Sequence, residues 1–216
     1  MSLPKTEKET KKLKEDVIKS FAAGLAIALG GYIFISLGGG LPGAVLFSVG
    51  LFCVCVYSLN LYTGKICYLL DDLKHDNPAG HPIPWFLMVL VCNIIAAVLT
   101  GLVVSLTASG SALEFATSIT SAKLDKSGLS VFLSAVFCDI FIYLAVNTWK
   151  NHKSVIGAIA IVFCVAGFIL TGSEHCIADA FYFGAARCNF VECLPFMLLC
   201  IAGNSVGGVF ARRVFR

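Results

Sequence analysis

Six apolar runs, at about 20–37, 42–62, 84–108, 128–149, 154–172 and 193–211, take up most of the chain. Each is close to the roughly 20 residues that a helix needs to cross the hydrocarbon of a bilayer. A segment in lipid has no water to satisfy its backbone, so only helices and closed barrels span membranes, and runs of this length select helices. The composition agrees: 58% of the 216 residues are hydrophobic and 13% charged, against about 25% charged in soluble domains. The expected fold class is an all-α membrane protein with six transmembrane helices and no separate soluble domain. The charged opening "MSLPKTEKETKKLKEDVIK" holds no apolar core segment and no cleavage motif, so no signal peptide is expected.

Basic residues flanking spans face the cytoplasm. Lys5, Lys8, Lys11, Lys12, Lys14 and Lys19 precede the first run, and Arg212, Arg213 and Arg216 follow the last. Both termini on one side require an even number of crossings. With the N-terminus inside, the loops at 65–82 and 150–153 add Lys65, Lys74, Lys150 and Lys153 to that side, leaving only Lys123, Lys126 and Arg187 outside. The expected layout is a cytoplasmic amphipathic segment at 1–19 lying on the inner surface, a transmembrane domain at 20–212 and a cytoplasmic tail at 213–216. The expected setting is the cell (inner) membrane. Glu7, Glu9, Glu15 and Asp16 interrupt the basic arm and argue against nucleic-acid binding. The ten cysteines mostly lie inside apolar runs without paired CxxC spacing and read as small hydrophobes; only Cys188 and Cys193, near an outer loop, are placed to pair.

Two runs are interrupted. "SLNLYTGKICYLLDD" sets Asn60, Thr63, Gly64 and Lys65 near the end of the second, and "LTGSEHCIADAFYFG" sets Glu174 and His175 at the end of the fifth, before a short apolar piece at 175–186. The pairs Thr63-Gly64 and Thr171-Gly172 lie half a chain apart. Breaks in the second helix of each three-helix half suggest two inverted repeats with the solute site between the broken helices. Ala22, Ala26 and Gly30, and likewise Gly203 and Gly207, recur every four residues, a spacing suited to close helix contact.

His175 is the one histidine inside a predicted span; His75, His81 and His152 sit in polar loops. It could bond a neighbouring helix, but beside Glu174 at a break it reads as a pathway residue. In its neutral form one ring nitrogen donates and the other accepts. Glu174 is expected to cap the free N–H groups of the second half-helix, or to orient His175. Lys123, in "SITSAKLDKSG", is most simply a solvated loop lysine. If its segment folds back, its charge draws an anion inward, by about 2 kcal/mol at roughly 8 Å and an effective dielectric of about 20. Asp139 lies in mid-span and must pair, protonate or see water; no partner is evident.

Together these elements resemble the formate/nitrite transporter family. "EHCIADAFYFG" resembles its Glu-His signature, "GNSVGG" its Gly-Asn signature, and "LNLYTGK" the loop that interrupts its second helix. The resemblance runs from about residue 20 to 212. It implies an aquaporin-like fold, a homopentamer in membrane lipid with one pore per protomer, and passage of small monovalent anions such as formate, nitrite or hydrosulfide. It implies His175 as the central pore histidine, with Thr63 and Asn204 as its polar partners and Lys123 attracting the anion from outside. It places Leu61 and Tyr62 on the pore loop, and Phe47, Leu51, Ile142 and Phe168 at two apolar constrictions. Tyr62, Asp139 and Asn60 depart from the residues expected there, namely phenylalanine, asparagine and an acidic residue.

The expected function is thus a pore for weak-acid anions, formate or nitrite first, that pass with or as their protonated form; protons are therefore partners as well. A hydrosulfide channel and a neutral-solute channel are the alternatives. Against the latter, paired Asn-Pro-Ala motifs are missing, the single Asn-Pro being Asn77-Pro78. Ammonium transporters typically need two pore histidines. No HExxH, nucleotide loop or second membrane histidine points to an enzyme, and no cofactor or metal is expected.

Overall fold

The computed structural model describes residues 5–73 and 82–215. Lys74, His75, Asn77-Pro78 and His81 lie outside the described residues. The first helix, α1 (Lys5–Ser36), is continuous. Residues 5–19 of the charged N-terminal segment are therefore continuous with the helix of the first apolar run. At 1.5 Å per residue its 32 residues run about 48 Å, longer than the roughly 30 Å hydrocarbon core. Three further helices are long and apolar enough to cross: α5 (Pro82–Thr107), α7 (Gly128–Asn151) and α10 (Phe190–Val214).

The remaining crossings are built in pieces. The first is α2 (Gly40–Val56), α3 (Tyr62–Lys65), one 3₁₀ turn and α4 (Leu69–Asp72); the second is α8 (Val155–Leu170) with α9 (Cys176–Ala185). Both breaks open identically. Ser58 at φ 52° and Gly172 at φ 66° take the left-handed conformation. Leu59 N–H then returns to the Val54 carbonyl and Ser58 N–H to Cys55, as Ser173 returns to Phe168 and Gly172 to Ile169. These are paired C-terminal bonds that satisfy orphan helix carbonyls.

Each half-helix is then held by an asparagine on the third helix of its own half. Asn93 on α5 accepts from Tyr62 N–H at 2.8 Å and donates to the Asn60 carbonyl at 3.0 Å and the Ser20 carbonyl at 2.6 Å. Asn204 on α10 accepts from Cys176 N–H at 3.0 Å and donates to the Glu174 carbonyl at 2.9 Å and the Ala135 carbonyl at 2.8 Å. Backbone freed in a membrane needs such internal partners. The matching braces align Leu61 with His175 and Ser58 with Gly172. Thr171-Gly172 therefore ends α8, whereas Thr63-Gly64 lies inside α3, and the Thr-Gly match is not the repeat.

The stretch at 109–127 also departs from expectation. It is not an open loop but α6 (Gly110–Leu124), started by Ser109, whose hydroxyl accepts from Ala112 N–H. The helix packs on α9 and α1 and brings Lys123 inward. Gly203 and Gly207 sit so close to Phe132 and Val136 on α7 that a Cβ at either would meet their carbonyl oxygens, the close approach the four-residue spacing suggested. Cys188 and Cys193 are joined across the α9–α10 connection. Near the start of α1, Asp16 Oδ1 accepts from Asn60 at 3.1 Å, and near the end of α10, Arg212 bonds Asp71 at 2.5 Å. The N-terminal half of α1 and the C-terminal end of α10 thus reach the face formed by α3 and α4, the terminal face.

Candidate functional site

The two breaks meet at one contact: Thr63 Oγ1 lies 2.9 Å from His175 Nε2. Both residues are buried. His175 is itself the N-cap of α9, its Nδ1 accepting from Ala178 N–H at 3.2 Å. A backbone N–H can only donate, so Nδ1 carries a lone pair and the ring proton sits on Nε2, where it donates to Thr63. A second ring proton would face the Ala178 N–H, so imidazolium formation and the cap exclude each other. The cap is His175, not Glu174.

The Glu174 carboxylate turns to α6 and the α6–α7 connection instead. It accepts from Lys123 and, at 2.5 Å, from Lys126, while Lys126 also donates to the Gly172 carbonyl at 2.9 Å. Lys123 pairs in addition with Asp179 at 2.8 Å. Asp179 stands one turn beyond His175 on α9, and its other oxygen accepts from the Cys200 thiol at 3.5 Å. Lys123 is thus no solvated loop residue: its side chain is 12% exposed, that of Lys126 30%, and Glu174 is fully enclosed.

One cavity opens on this centre, and a second lies against Leu61 and Gly64. The first, of about 230 Å³, is lined by Phe34, Phe115, Lys123, Lys126, Phe168, His175, Asp179 and Tyr182 among others. The second, of about 240 Å³, is lined by Val54, Leu61, Gly64, Lys65, Tyr68, Val146, Trp149, Lys150 and Lys153 among others. Helix α7 begins just after Lys126 and ends between Lys150 and Lys153, so the cavities lie at opposite ends of a rod about 36 Å long. Phe47, Leu51, Leu61, Ile142 and Phe168 are all buried; Phe168 lines the first cavity and Leu61 the second. Phe47 meets Phe168 edge-on at 6.1 Å, and Phe168 stacks on the His175 ring at 5.8 Å.

The structure brings together His175, Thr63 and Phe168 directly, with Phe47 behind Phe168, and sets Lys123 and Leu61 each in a cavity wall. Asn204 is not on the His175 ring: its carboxamide grips the backbone on either side of it, as a positioning residue. The Tyr62 hydroxyl turns to Ser205 at 2.8 Å. Asp139 is buried, and neither carboxyl oxygen finds a partner among the described residues. Sequence reasoning missed Asp179 and Asn93. Asp179 could have been found as an ionisable residue one helical turn from His175. Asn93, a polar residue in an otherwise apolar run, carried a weaker signal.

A sequence model of a family described as "Formate/nitrite transporter" matches residues 4–215. The chain is 28% identical over 213 residues to an uncharacterized transporter, YrhG, of Bacillus subtilis (strain 168), covering 89% of this chain and 80% of the relative. Two solved structures share the fold. One, described as an FNT family ion channel, gives a TM-score of 0.86 at 19% identity over 95% of this chain and 90% of that one. The other, a pentameric formate channel with formate bound, gives 0.84 at 21% identity over 95% and 96%.

Proposed function

Because the chain belongs to the formate/nitrite transporter family, we propose that it is a pore for small monovalent weak-acid anions, formate or nitrite first and hydrosulfide as the alternative. The observation that carries the reading is the Thr63–His175 bond, made where two broken helices meet, with His175 lining one cavity and Leu61 and Gly64, on either side of Tyr62 and Thr63, lining another. A bare ion brought into a ring of apolar side chains faces an idealised cost of order 20 kcal/mol, and Phe and Leu side chains offer nothing to offset it. These anions are conjugate bases of weak acids, so taking up a proton removes that cost.

His175 donates from Nε2 to Thr63, which leaves the Thr63 hydroxyl hydrogen free to donate to a passing carboxyl or nitrite oxygen. The pair is therefore a fixed polar station midway through an apolar passage. Lys123 and Lys126 line the entrance on the outer side, and their contacts with Glu174 and Asp179 hold that entrance in shape. The fold shared with a pentameric formate channel supports a homopentamer, since α1, α2, α5, α7, α8 and α10 leave large apolar side chains exposed for lipid or for neighbouring copies. The excess of basic residues at the terminal face supports cytoplasmic termini in an inner membrane.

The test is flux into proteoliposomes of formate, nitrite, hydrosulfide, lactate and glycerol at two pH values, with His175→Ala alongside. Selective weak-acid flux that rises at low pH and changes in the variant supports the reading. Glycerol flux without anion preference overturns it, and a strictly anionic, pH-independent current overturns passage with a proton.

A further inference from the structure

The two cavities differ in charge. In the outer one, Lys123 and Lys126 meet Glu174 and Asp179 in mutual contact: two ammonium groups, two carboxylates and no net charge. The cavity at the terminal face has Lys65, Lys150 and Lys153 in its lining and, among the described residues, neither Asp nor Glu. Among the described residues, Lys65 and Lys153 have no ion pair or hydrogen bond. Among these residues Lys150 reaches only Tyr68, whose hydroxyl it meets at 3.4 Å and whose ring lies 4.9 Å away. Arg212 lies over the same ring at 4.3 Å.

Two described carboxylates at this face, Asp71 and Asp16, are engaged elsewhere. Asp71 holds Arg212 at 2.5 Å. Asp16, which acts on Lys65 at longer range, accepts from Asn60 and from the Trp85 indole, each at 3.1 Å. Lys65 is half-buried in the cavity wall beside Gly64, and Lys150 adds a like charge that acts on it. Like charges gathered in a partly enclosed space repel, and a small anion between them turns that repulsion into attraction.

We propose that the terminal cavity is a binding site for one small monovalent carboxylate or oxyanion, with Lys65 and Lys150 as its ligands and Lys153 at its mouth, and that the pathway loads there rather than at the charge-balanced outer cavity. The proposal rests on reading the chain as an anion pore. It makes the protein asymmetric: flux from the terminal face saturates at a lower anion concentration than flux from the outer face.

The experiment titrates [13C]formate against the purified assembly, followed by NMR line broadening, and then measures formate flux in both directions across oriented proteoliposomes. In Lys65→Gln/Lys150→Gln, formate binding is expected to weaken about tenfold, with half-saturation rising for flux from the terminal face alone. Lys150 is exposed, so Lys150→Gln by itself supplies the comparison if the double variant does not fold, with about threefold weaker binding. Equal formate affinity in wild type and variant overturns the site, as does equal half-saturation from both faces in the wild type. Formate binding that the lysines govern, without flux of any anion, leaves the site standing and overturns the pore reading instead.

Discussion

Asn93 and Asn204 do the same thing in the two halves of the chain. Each accepts from the first N–H of a half-helix and donates to the carbonyl just before the helix cap. The third bond of each ties the break to the first helix of its half, at Ser20 and at Ala135. Two carboxamides thus satisfy six backbone contacts that lipid could not.

Replacing either one removes three bonds at once and leaves buried backbone groups unpaired, at about 1–3 kcal/mol each. Asn204→Leu and Asn93→Leu are therefore expected to lose several kcal/mol. Thermal unfolding of the detergent-purified protein checks this; a variant as stable as the wild type would mean that water or another side chain takes over the brace.

Ser58 and Gly172 share one left-handed position, but only one of them is glycine. Ser58→Gly should stabilise and Gly172→Ala destabilise, each by about 1 kcal/mol, because left-handed backbone costs a side chain roughly that much. A Cβ at 172 meets nothing within 4 Å, so the second effect isolates the backbone from packing. Opposite signs of the two shifts in unfolding temperature are the result to look for.

Gly208 faces Asp139 so closely that a Cβ there would meet Oδ2, with Ile66 Cγ2 at 3.2 Å. Gly208→Ala is expected to cost about 1–3 kcal/mol, the usual penalty for overpacking. Asp139→Ala made in the same chain should return most of that loss. A double-mutant cycle reads the coupling, and purely additive effects would separate the two residues.

Thr63→Val keeps the shape of the side chain but leaves His175 Nε2–H without its acceptor, whereas Thr63→Ser keeps the hydroxyl. Formate flux is expected to fall at least tenfold, about 1.4 kcal/mol, in the first and to stay near wild type in the second. Equal flux in both would remove the Thr63 hydroxyl from the pathway.

Much of this architecture could be read in advance, because apolar length and basic flanks are local signals. His175 and Thr63 stood out for the same reason, as polar residues at breaks in apolar runs. What stayed hidden depended on distant partners. Nothing in "TSITSAKLDK" states that the segment folds back, since its mixed polarity fits a loop as well as a helix whose charges are paired indoors. The charge drop near residue 19 looked like a boundary, yet no proline or glycine interrupts 5–23 and the helix runs through. Asp179 escaped notice because its meaning depends on Lys123, 56 positions earlier in the sequence. The repeated Thr-Gly pair misled in the opposite sense, as a likeness of letters at positions the two halves do not share.

The braces also set an order of assembly. Helices of four and ten residues, such as α3 and α9, cannot hold themselves together. The acceptor for Tyr62 N–H lies 31 residues downstream and that for Cys176 lies 28. A growing chain that has reached only α4 has the first break synthesised and nothing to close it. The second helix of each half must wait for the third, so that each three-helix half inserts as a unit, and a ribosome stalled before residue 93 should leave Tyr62 within reach of solvent.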